Sequence, residues 1–374
     1  MRVAVNTRFL LPGCLEGYGY FIQETFRRLV QQHPEHEFIF IFDRPYDQQF
    51  VFGKNVTPVV TGPAARHPLL WKLWYDIKVP SVLRKYKADV FVSCDGFCSL
   101  NTKIPQCLVV HDIAFLHYPS FISKSHLFFY RRYTAKFLHK AKSVATVSAF
   151  SKADIIKQYA VEPAKLDVVY SAAKPGFGPV DFEEKQKIKE QYTGGAEYFI
   201  YTGAIHPRKN LVSLLKAFSI FKKKQNSSMK LVLAGRLAWK SDTFKDSLAS
   251  YKYRNDVVMT GYLPETELAS LTAAAYAMVY PSHFEGFGVP VLEAMQCGVP
   301  VITTSASSMQ EVAGDAALYA PATDHEAIAA HMILLYKDEN LRTRLITEGL
   351  QVAKQYTWER TAALLWQCIE KAIG

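Results

Sequence analysis

Short runs of strand-forming residues alternate with longer helical stretches along the whole chain of 374 residues, and the pattern occurs twice. The first half contains, in order, RVAVNT, FIFIF, ADVFVS, CLVVHD, SVATVS and LDVVYS. The second half begins again at residue 198 with YFIYTG, KLVLAG, VVMTG, AMVYPS and VPVITT. Strands separated by helices pair in parallel and form doubly wound α/β sheets. The sequence therefore predicts two Rossmann-like domains, a number that also suits a chain of this length.

A segment rich in proline and glycine separates the two patterns. It contains Pro175, Gly176, Gly178 and Pro179, and a charged run that we interpret as a solvated helix follows it. We predict an N-terminal domain over residues 1–178 and a C-terminal domain over residues 179–374, with a last helix that can pack back on the first domain. Doubly wound sheets bind ligands beyond the carboxyl ends of their strands, so we expect a cleft in which the two domains face each other.

Composition limits the classes of function. No apolar run approaches the roughly 18 residues of a membrane span. Polar residues interrupt the N-terminal MRVAVNTRFLLPGC, which favours a first strand over a signal peptide. The cysteines form no CxxC pair and do not stand beside histidines at metal-ligand spacing, so we expect buried thiols, no bound metal and a cytoplasmic location. They are Cys14, Cys94, Cys98, Cys107, Cys297 and Cys368.

Charge divides unequally along the chain. Residues 1–180 hold 23 Lys and Arg against 13 Asp and Glu, whereas residues 181–374 hold 21 of each. A positive charge confined to the first half favours an anionic partner, either a phosphate-bearing acceptor or an anionic membrane surface.

The stretch PSHFEGFGVPVLEAMQCGVPVITT places Glu285 and Glu293 eight positions apart around a glycine turn. Pro290 suits the first turn of a helix, because its missing N–H would be unpaired there. Helix N-termini bind phosphate readily, here through the amides of Phe287, Gly288 and Val289. Both carboxylates can then face one ligand, as the acidic residue of a dinucleotide site faces a ribose diol. On spacing alone, the alternative that Glu293 is a solvated helix residue stays open.

Two adjacent cations, Arg208 and Lys209, lie in the loop GAIHPRKN, between the strand YFIYT and a helix predicted from Asn210. They can neutralise a diphosphate that helix amides also hold. A basic pair of this kind is also common on solvated surface.

The first half offers two weaker features. Gly17, Tyr18 and Gly19 follow the first strand, where glycines would let the backbone approach a phosphate. His111 ends the strand CLVVHD and could bond to a sugar hydroxyl, shuttle a proton or be structural.

Taken together, EGFGVPVLEAMQCGVPVI, GAIHPRKNL, VHDIAF and TVSAFSKADI closely resemble the retaining glycosyltransferases of family 4, which have the GT-B fold. The resemblance covers essentially the whole chain, and the two glutamates are its most specific part. It implies that Glu293 binds the nucleotide ribose and that Glu285 holds the donor sugar near its reacting carbon. It also assigns Arg208 and Lys209 to the departing diphosphate and His111 to the 6-position of the sugar.

The resemblance adds further positions on the donor side. Gly203 matches a family glycine that Arg often follows, whereas this chain has Ala204, so either Arg208 supplies that charge or the site has one cation fewer. The remaining positions are Gly17, Tyr18 and Gly19 under the pyrophosphate, and Tyr262 and Leu263 against the base. In this family the departing phosphate is usually held to accept the proton of the acceptor, so Glu285 would orient the sugar rather than attack it.

The predicted function is that of a metal-independent, retaining hexosyltransferase with a nucleotide diphosphate sugar as substrate and no cofactor. The pattern HDIAF-x-HYPSF is similar to mannosyltransferases of surface polysaccharide assembly, which makes GDP-mannose the first choice of donor and a UDP-hexose the second. The acceptor would be a glycan or a polyprenyl-diphosphate-linked saccharide, and no nucleic acid is expected. The alternatives are a nucleotide-sugar epimerase on the same fold and a non-catalytic nucleotide-sugar-binding module.

Residues 51–150 hold 14 Lys and Arg against 4 Asp and Glu, interleaved with aromatic residues. In HLFFYRRYTAKFLHKAK, apolar positions recur at helical spacing and cations occupy the other faces. A basic amphipathic helix of this kind can lie on anionic lipid, which would place the protein on the inner face of the plasma membrane. An ordinary helix packed on its sheet would have the same pattern. The recurring positions are Leu127, Tyr130, Thr134, Phe137 and Ala141, and the cations are Arg132, Lys136, His139 and Lys140.

Overall fold

The computed structural model describes residues 1–13, 15–238 and 241–374 and divides into two compact units. The N-terminal unit comprises Met1–Ser171 together with Thr357–Gly374, and the C-terminal unit comprises Ala172–Tyr356. The last helix thus belongs to the N-terminal unit. The division falls before the predicted boundary at residue 178 because the intervening segment packs on the C-terminal unit, where Phe177 is buried and its carbonyl accepts a 2.8 Å hydrogen bond from Gln296 Nε2.

The N-terminal unit is built on a sheet whose described strands all pair in parallel. Their order is β3-β2-β1-β4-β5-β6-β7, so the strand order reverses between β1 and β4. The strands are β1 (Arg2–Asn6), β2 (Glu37–Phe42), β3 (Val56–Val60), β4 (Val90–Ser93), β5 (Gln106–Val109), β6 (Ser143–Thr146) and β7 (Leu166–Val168).

Helices cover this sheet, and a π-helical turn at Trp74–Lys78 joins two of them. The helices are α1 (Gly17–Gln32), α2 (Pro68–Leu73), α3 (Val79–Lys85), α4 (Ala114–His117), α5 (Lys124–Lys140) and α6 (Ala149–Tyr159).

The C-terminal unit has a second parallel sheet, with the described strands in the order β10-β9-β8-β11-β12-β13. Here the order reverses between β8 and β11. The strands are β8 (Tyr198–Thr202), β9 (Lys230–Ala234), β10 (Val257–Gly261), β11 (Ala277–Tyr280), β12 (Val301–Thr304) and β13 (Ala317–Ala320).

The charged run after the proline- and glycine-rich segment is a helix, α7, as predicted. Asp181 caps it by accepting a 2.8 Å hydrogen bond from the Glu184 amide. The helices of this unit are α7 (Phe182–Thr193), α8 (Leu211–Gln225), α9 (Asp242–Ala249), α10 (Glu265–Ala273), α11 (Val289–Gln296), α12 (Met309–Ala313), α13 (His325–Lys337) and α14 (Glu339–Ala353).

The final helix, α15 (Trp358–Ile373), packs on the N-terminal unit against α1 and the middle strands of its sheet. Its apolar face is buried at Leu365 and Ile369. Ser143 Oγ on β6 donates a 2.6 Å hydrogen bond to the Cys368 carbonyl. The last helix is therefore part of the core of the first domain.

The strands β3 and β13 were not predicted, and both are edge strands. Pro58 lies inside β3, and a proline that cannot donate to a ladder is tolerated mainly at an edge. The β13 sequence, ALYA, is short and rich in alanine, a residue with low strand propensity.

The basic helix α5 packs on the sheet and exposes its cations. Thr134, Phe137 and Ala141 of the predicted apolar stripe are buried, together with Phe129 and Leu138. The ordinary-helix interpretation therefore accounts for this stripe.

The five described cysteines, at positions 94, 98, 107, 297 and 368, are free and buried, as predicted, whereas Cys14 lies outside the described residues. Within the described part of the chain, no helix combines the length and the apolar character needed to cross a bilayer.

Candidate functional site

The predicted cations and the first glutamate meet in the C-terminal unit where the strand order reverses. The loop after β8 carries Arg208 and Lys209, and the loop after β11 carries Glu285. Because β8 and β11 are neighbours in a parallel sheet, both loops leave its carboxyl edge side by side. This reversal is the usual ligand-binding position in a doubly wound sheet.

Glu285 is 7% exposed, and both of its carboxylate oxygens have cationic partners. Lys209 Nζ lies 2.6 Å from Oε1, and Arg208 Nη1 lies 3.1 Å from Oε2. Ser282 Oγ donates to Oε1 at 2.5 Å, and the Tyr280 hydroxyl donates to the same oxygen at 3.2 Å. The carboxylate therefore holds both cations in fixed positions.

Burial alone would raise the pKa of Glu285, because a buried carboxylate loses its hydration. The charges of Arg208 and Lys209, with the hydrogen bonds from Lys209 and Ser282, outweigh this effect and lower the pKa to about 2. Glu285 is thus an anion over the whole neutral range.

The local backbone explains how the two cations reach this position. The chain leaves β8 at Gly203, whose φ is +130°, and forms a 3₁₀ turn over Pro207–Lys209. Asn210, in the left-handed region at φ 60°, starts α8, and its side-chain amide donates to the Pro281 carbonyl at 3.1 Å. A side chain at Gly235 would place its Cβ 1.9 Å from the Gly203 carbonyl oxygen, so the neighbouring turn must be glycine.

Serine and threonine hydroxyls brace the glutamate loop, a feature that the sequence interpretation missed. Thr304 Oγ1, at the end of β12, donates to the Ser282 carbonyl at 3.0 Å. Ser308 Oγ lies 2.9 Å from the Glu285 carbonyl and 3.1 Å from the Phe287 carbonyl. The Glu285 amide donates to Ser307 Oγ at 2.9 Å. The residues SASS, which directly follow the strand VITT, were the feature of the sequence from which these hydroxyl contacts could have been predicted.

The second glutamate, Glu293, lies in α11 and is 2% exposed, so the solvated alternative is wrong. Lys174 Nζ lies 3.3 Å from Oε1, an ion pair that the sequence did not predict. Among the described residues, Oε1 has no aligned hydrogen-bond donor. A buried carboxylate oxygen without a hydrogen bond is costly and is well suited to a ligand hydroxyl.

The turn into α11 has the predicted geometry. Gly288 caps the helix with φ +96°, a left-handed conformation that glycine adopts without strain, and Pro290 lies in the first turn. A Cβ on Gly288 would also lie 2.3 Å from Met309 Cε. Val289 begins the helix, and the first turn of any helix leaves amides without intrahelical partners.

The features predicted for the first domain lie in the N-terminal unit. Gly17, Tyr18 and Gly19 form the first turn of α1, not a loop before it. Gly19 is required by packing, since a Cβ there would lie 2.7 Å from the Phe9 carbonyl oxygen, whereas Gly17 faces open space. The absence of a side chain at Gly19 therefore lets α1 pack closely against the loop before it.

His111 is enclosed by aromatic rings in the same unit. Its ring meets those of Tyr18 and Phe21 edge-on, at centroid distances of 4.7 and 5.1 Å. Nε2 lies 3.1 Å from the Cys94 carbonyl oxygen, and because a carbonyl only accepts, Nε2 carries the proton. Desolvation lowers the His111 pKa to about 4, although Asp112 and the Cys94 carbonyl oppose this shift. At neutral pH the ring is therefore uncharged and has Nδ1 as an acceptor.

The remaining predicted pair follows β10, in the C-terminal unit. Tyr262 is 56% exposed, and Leu263 is half-buried beside it. Among the described residues, the one group of three or more side chains that could hold a metal is in the N-terminal unit and contains none of the residues predicted for the site.

Comparison with known proteins gives consistent matches to both halves of the chain. A family model described as Glycosyltransferase Family 4 matches residues 16–175, and one described as Glycosyl transferases group 1 matches residues 182–352. The O-antigen chain mannosyltransferase B of Escherichia coli is 32% identical over 303 residues, which cover 79% of this chain and 78% of that protein. The O-antigen chain mannosyltransferase RfbU of Salmonella typhimurium is 30% identical over 278 residues, covering 73% and 72% respectively.

A solved structure extends the similarity to the fold of the whole chain. Anabaena Alr3699/HepE in complex with UDP-glucose matches 99% of each chain with a TM-score of 0.78 and 16% sequence identity. Two doubly wound parallel sheets with this similarity define the GT-B class of glycosyltransferases. The chain belongs to glycosyltransferase family 4 and is a glycosyltransferase.

Proposed function

We propose that the protein is a retaining, metal-independent mannosyltransferase that transfers mannose from GDP-mannose to a glycan or a polyprenyl-diphosphate-linked saccharide. The main support for this proposal is that Arg208 and Lys209 both contact the buried carboxylate of Glu285, at the edge of the sheet where β8 and β11 end. The choice of mannose is supported by the two bacterial relatives, both named as O-antigen chain mannosyltransferases.

The proposed reaction breaks the bond between the sugar's anomeric carbon and the diphosphate oxygen. The acceptor oxygen forms its bond to that carbon on the same face, and its proton passes to the departing diphosphate. Negative charge develops on the diphosphate, so preorganised cations stabilise the transition state more than the ground state. Arg208 and Lys209 supply the positive charge that stabilises the departing diphosphate. The proposed reaction therefore needs no divalent metal.

Glu285 acts here as an orienting group. Both of its oxygens face cations or hydroxyl donors, and its low pKa makes it a weak base. We assign Glu293 to the ribose hydroxyls, because its Oε1 is buried and has no aligned donor among the described residues. We assign His111 Nδ1 to a hydroxyl of the donor sugar as an acceptor.

Transfer can be tested directly with purified protein, GDP-mannose and a synthetic mannoside that carries a lipid tail, all in EDTA. We expect an α-linked product with the anomeric configuration of the donor, resolved by NMR, and a slower reaction with UDP-glucose. Lys209→Ala should lower kcat by about 10² to 10³, the scale for removing one preorganised charge-stabilising donor. Lys216→Ala, an exposed lysine on α8, is the matched control.

Four outcomes would contradict this proposal or part of it. Conversion of a nucleotide sugar in the absence of any acceptor would indicate the epimerase alternative, and binding without turnover would indicate the binding module. An inverted product or a strict metal requirement would refute the retaining, metal-independent mechanism.

We also propose peripheral association with the cytoplasmic face of the plasma membrane. Phe128 on α5 is 72% exposed and Leu69 on α2 is 76% exposed, and these two helices pack together. Four exposed cations follow Phe128 on the same helix: Arg131, Arg132, Lys136 and Lys140. Exposed apolar side chains with cations around them suit an anionic lipid surface.

A further inference from the structure

A second group of potential ligands lies at the opposite edge of the N-terminal sheet, where α1 ends and β2 begins. The sequence HPEH there places His33, Glu35 and His36 in one turn. This turn is at the amino end of β2, whereas doubly wound sheets bind their substrates at the carboxyl ends. The proposed transfer reaction makes no use of these three residues.

One carboxylate oxygen lies within bridging distance of both imidazoles. Glu35 Oε1 is 3.6 Å from His33 Nδ1 and 3.4 Å from His36 Nε2. In a tetrahedral zinc site with bonds near 2.1 Å, neighbouring ligand atoms are about 3.4 Å apart. All three ligand atoms lie within 4.8 Å of one another, so small side-chain movements would bring them onto one ion.

The tryptophan Trp366 on α15 holds both rings in orientation. The His33 and His36 rings stack on its indole at centroid distances of 3.7 and 5.3 Å. The two imidazole planes are within 4° of parallel, with centroids 5.8 Å apart. Rings on opposite faces of an indole would be about 7 Å apart, twice a van der Waals contact of about 3.5 Å. The imidazoles therefore lie side by side on one face, where in-plane lone pairs can converge.

The second nitrogen of His36 has its own neighbour. Nδ1 lies 3.3 Å from the α-amino nitrogen of Met1. Zinc binding through Nε2 places the ring proton on Nδ1, so the Met1 ammonium group, which only donates, must move away from Nδ1 in the bound state. Both histidine side chains are about one fifth exposed and that of Glu35 is 59% exposed, so an ion can reach the group from solvent.

We propose that His33, Glu35 and His36 form a zinc-binding site, with water as the fourth ligand. Two imidazoles and one carboxylate suit a borderline divalent ion of this kind. A bound ion would tie the end of α1 to the start of β2, and through Trp366 it would fix α15 on this unit. The sequence interpretation missed the site because it examined histidines only beside cysteines.

Calorimetric titration of zinc into tag-free protein, previously treated with EDTA and desalted, tests the proposal. We expect one zinc ion per chain and a zinc-dependent rise in Tm, since an ion that binds only the folded state stabilises it. Glu35→Ala and the double variant His33→Asn/His36→Asn should each weaken binding by at least about tenfold, the lower end of what even an outer-shell change costs. His139→Asn, which changes an exposed histidine on α5, should bind zinc like the wild type.

Glu35 is exposed, so we expect Glu35→Ala to fold. The proposal can therefore still be tested if the double histidine variant does not fold. Absence of zinc binding by the wild type would overturn the proposal. Equal zinc affinity in the wild type and Glu35→Ala would also overturn it. Neither result would bear on mannosyl transfer, which concerns the other edge of the fold.

Discussion

Glu285 is surrounded by groups that depend on its negative charge. Glu285→Gln keeps the size of the side chain but leaves Arg208 and Lys209 close together with no anion between them. We expect kcat to fall more than the affinity for GDP, because the proposed partner of Glu285 is the sugar and because the two cations would shift. The control is Glu326→Gln, an exposed glutamate in the first turn of α13. Equal losses of turnover and GDP affinity would contradict the separate roles of the two glutamates.

The lowered pKa of Glu285 also predicts how stability depends on pH. Its folded-state pKa is about 2, below the ordinary value of 4.5. The contribution of this group to the free energy of unfolding is therefore complete above about pH 5 and is lost as the pH falls towards 2. Urea unfolding of the wild type and Glu285→Gln should show a stability gap that shrinks over this range. A gap that stays constant from pH 7 to pH 3 would contradict the assigned ion pairs.

At the scale of elements, the hydroxyls after β12 hold the glutamate loop in place. Ser308→Ala would leave the Glu285 and Phe287 carbonyls without this donor. We expect a loss of about 1 to 3 kcal/mol in the free energy of unfolding, the cost of leaving buried polar groups unsatisfied, together with reduced turnover. Ser305→Ala, at an exposed position in the same run, is the control. If both variants unfolded at the same urea concentration as the wild type, the bracing role would be wrong.

The elements that could be predicted from sequence are those with strong local patterns. Buried central strands such as YFIYT, and the turn into α11 with its glycine and Pro290, follow from hydrophobic runs and backbone chemistry. The edge strands β3 and β13 and the Lys174–Glu293 pair could not be predicted in this way. Pro58 interrupts the strand pattern of β3, and β13 is short and rich in alanine. Lys174 is 119 positions away from Glu293 along the chain, so only the tertiary fold brings them together.

At the scale of the whole molecule, the positive charge of the first half is the basis of the proposed membrane association. Vesicles of anionic lipid should bind the protein at low salt and release it at high salt, since each nearby cation contributes about 1 kcal/mol. Phe128→Ser should weaken vesicle binding, whereas Phe182→Ser, with the same 72% exposure on α7, should not. Changing Arg131, Arg132, Lys136 and Lys140 to glutamine should abolish binding without loss of GDP affinity.

Co-sedimentation of the protein with anionic vesicles tests the proposed membrane association. The control replaces four exposed lysines of the C-terminal unit with glutamine: Lys216, Lys223, Lys224 and Lys337. Absence of binding by the wild type at low salt, or equal binding by both quadruple variants, would mean that the basic face serves an anionic acceptor instead.

The central claim is that the C-terminal unit binds a nucleoside diphosphate through Glu293 and the cations held by Glu285, without a metal. Calorimetric titration of GDP, UDP and ADP into the wild type and Glu293→Ala, with EDTA present, tests this claim most directly. We expect GDP to bind the wild type most tightly and Glu293→Ala to lose roughly 1.5 to 3 kcal/mol of binding free energy, as expected for hydrogen bonds to a charged acceptor. Unchanged GDP affinity in Glu293→Ala, or no binding of any of the three nucleotides without a divalent metal, would contradict it.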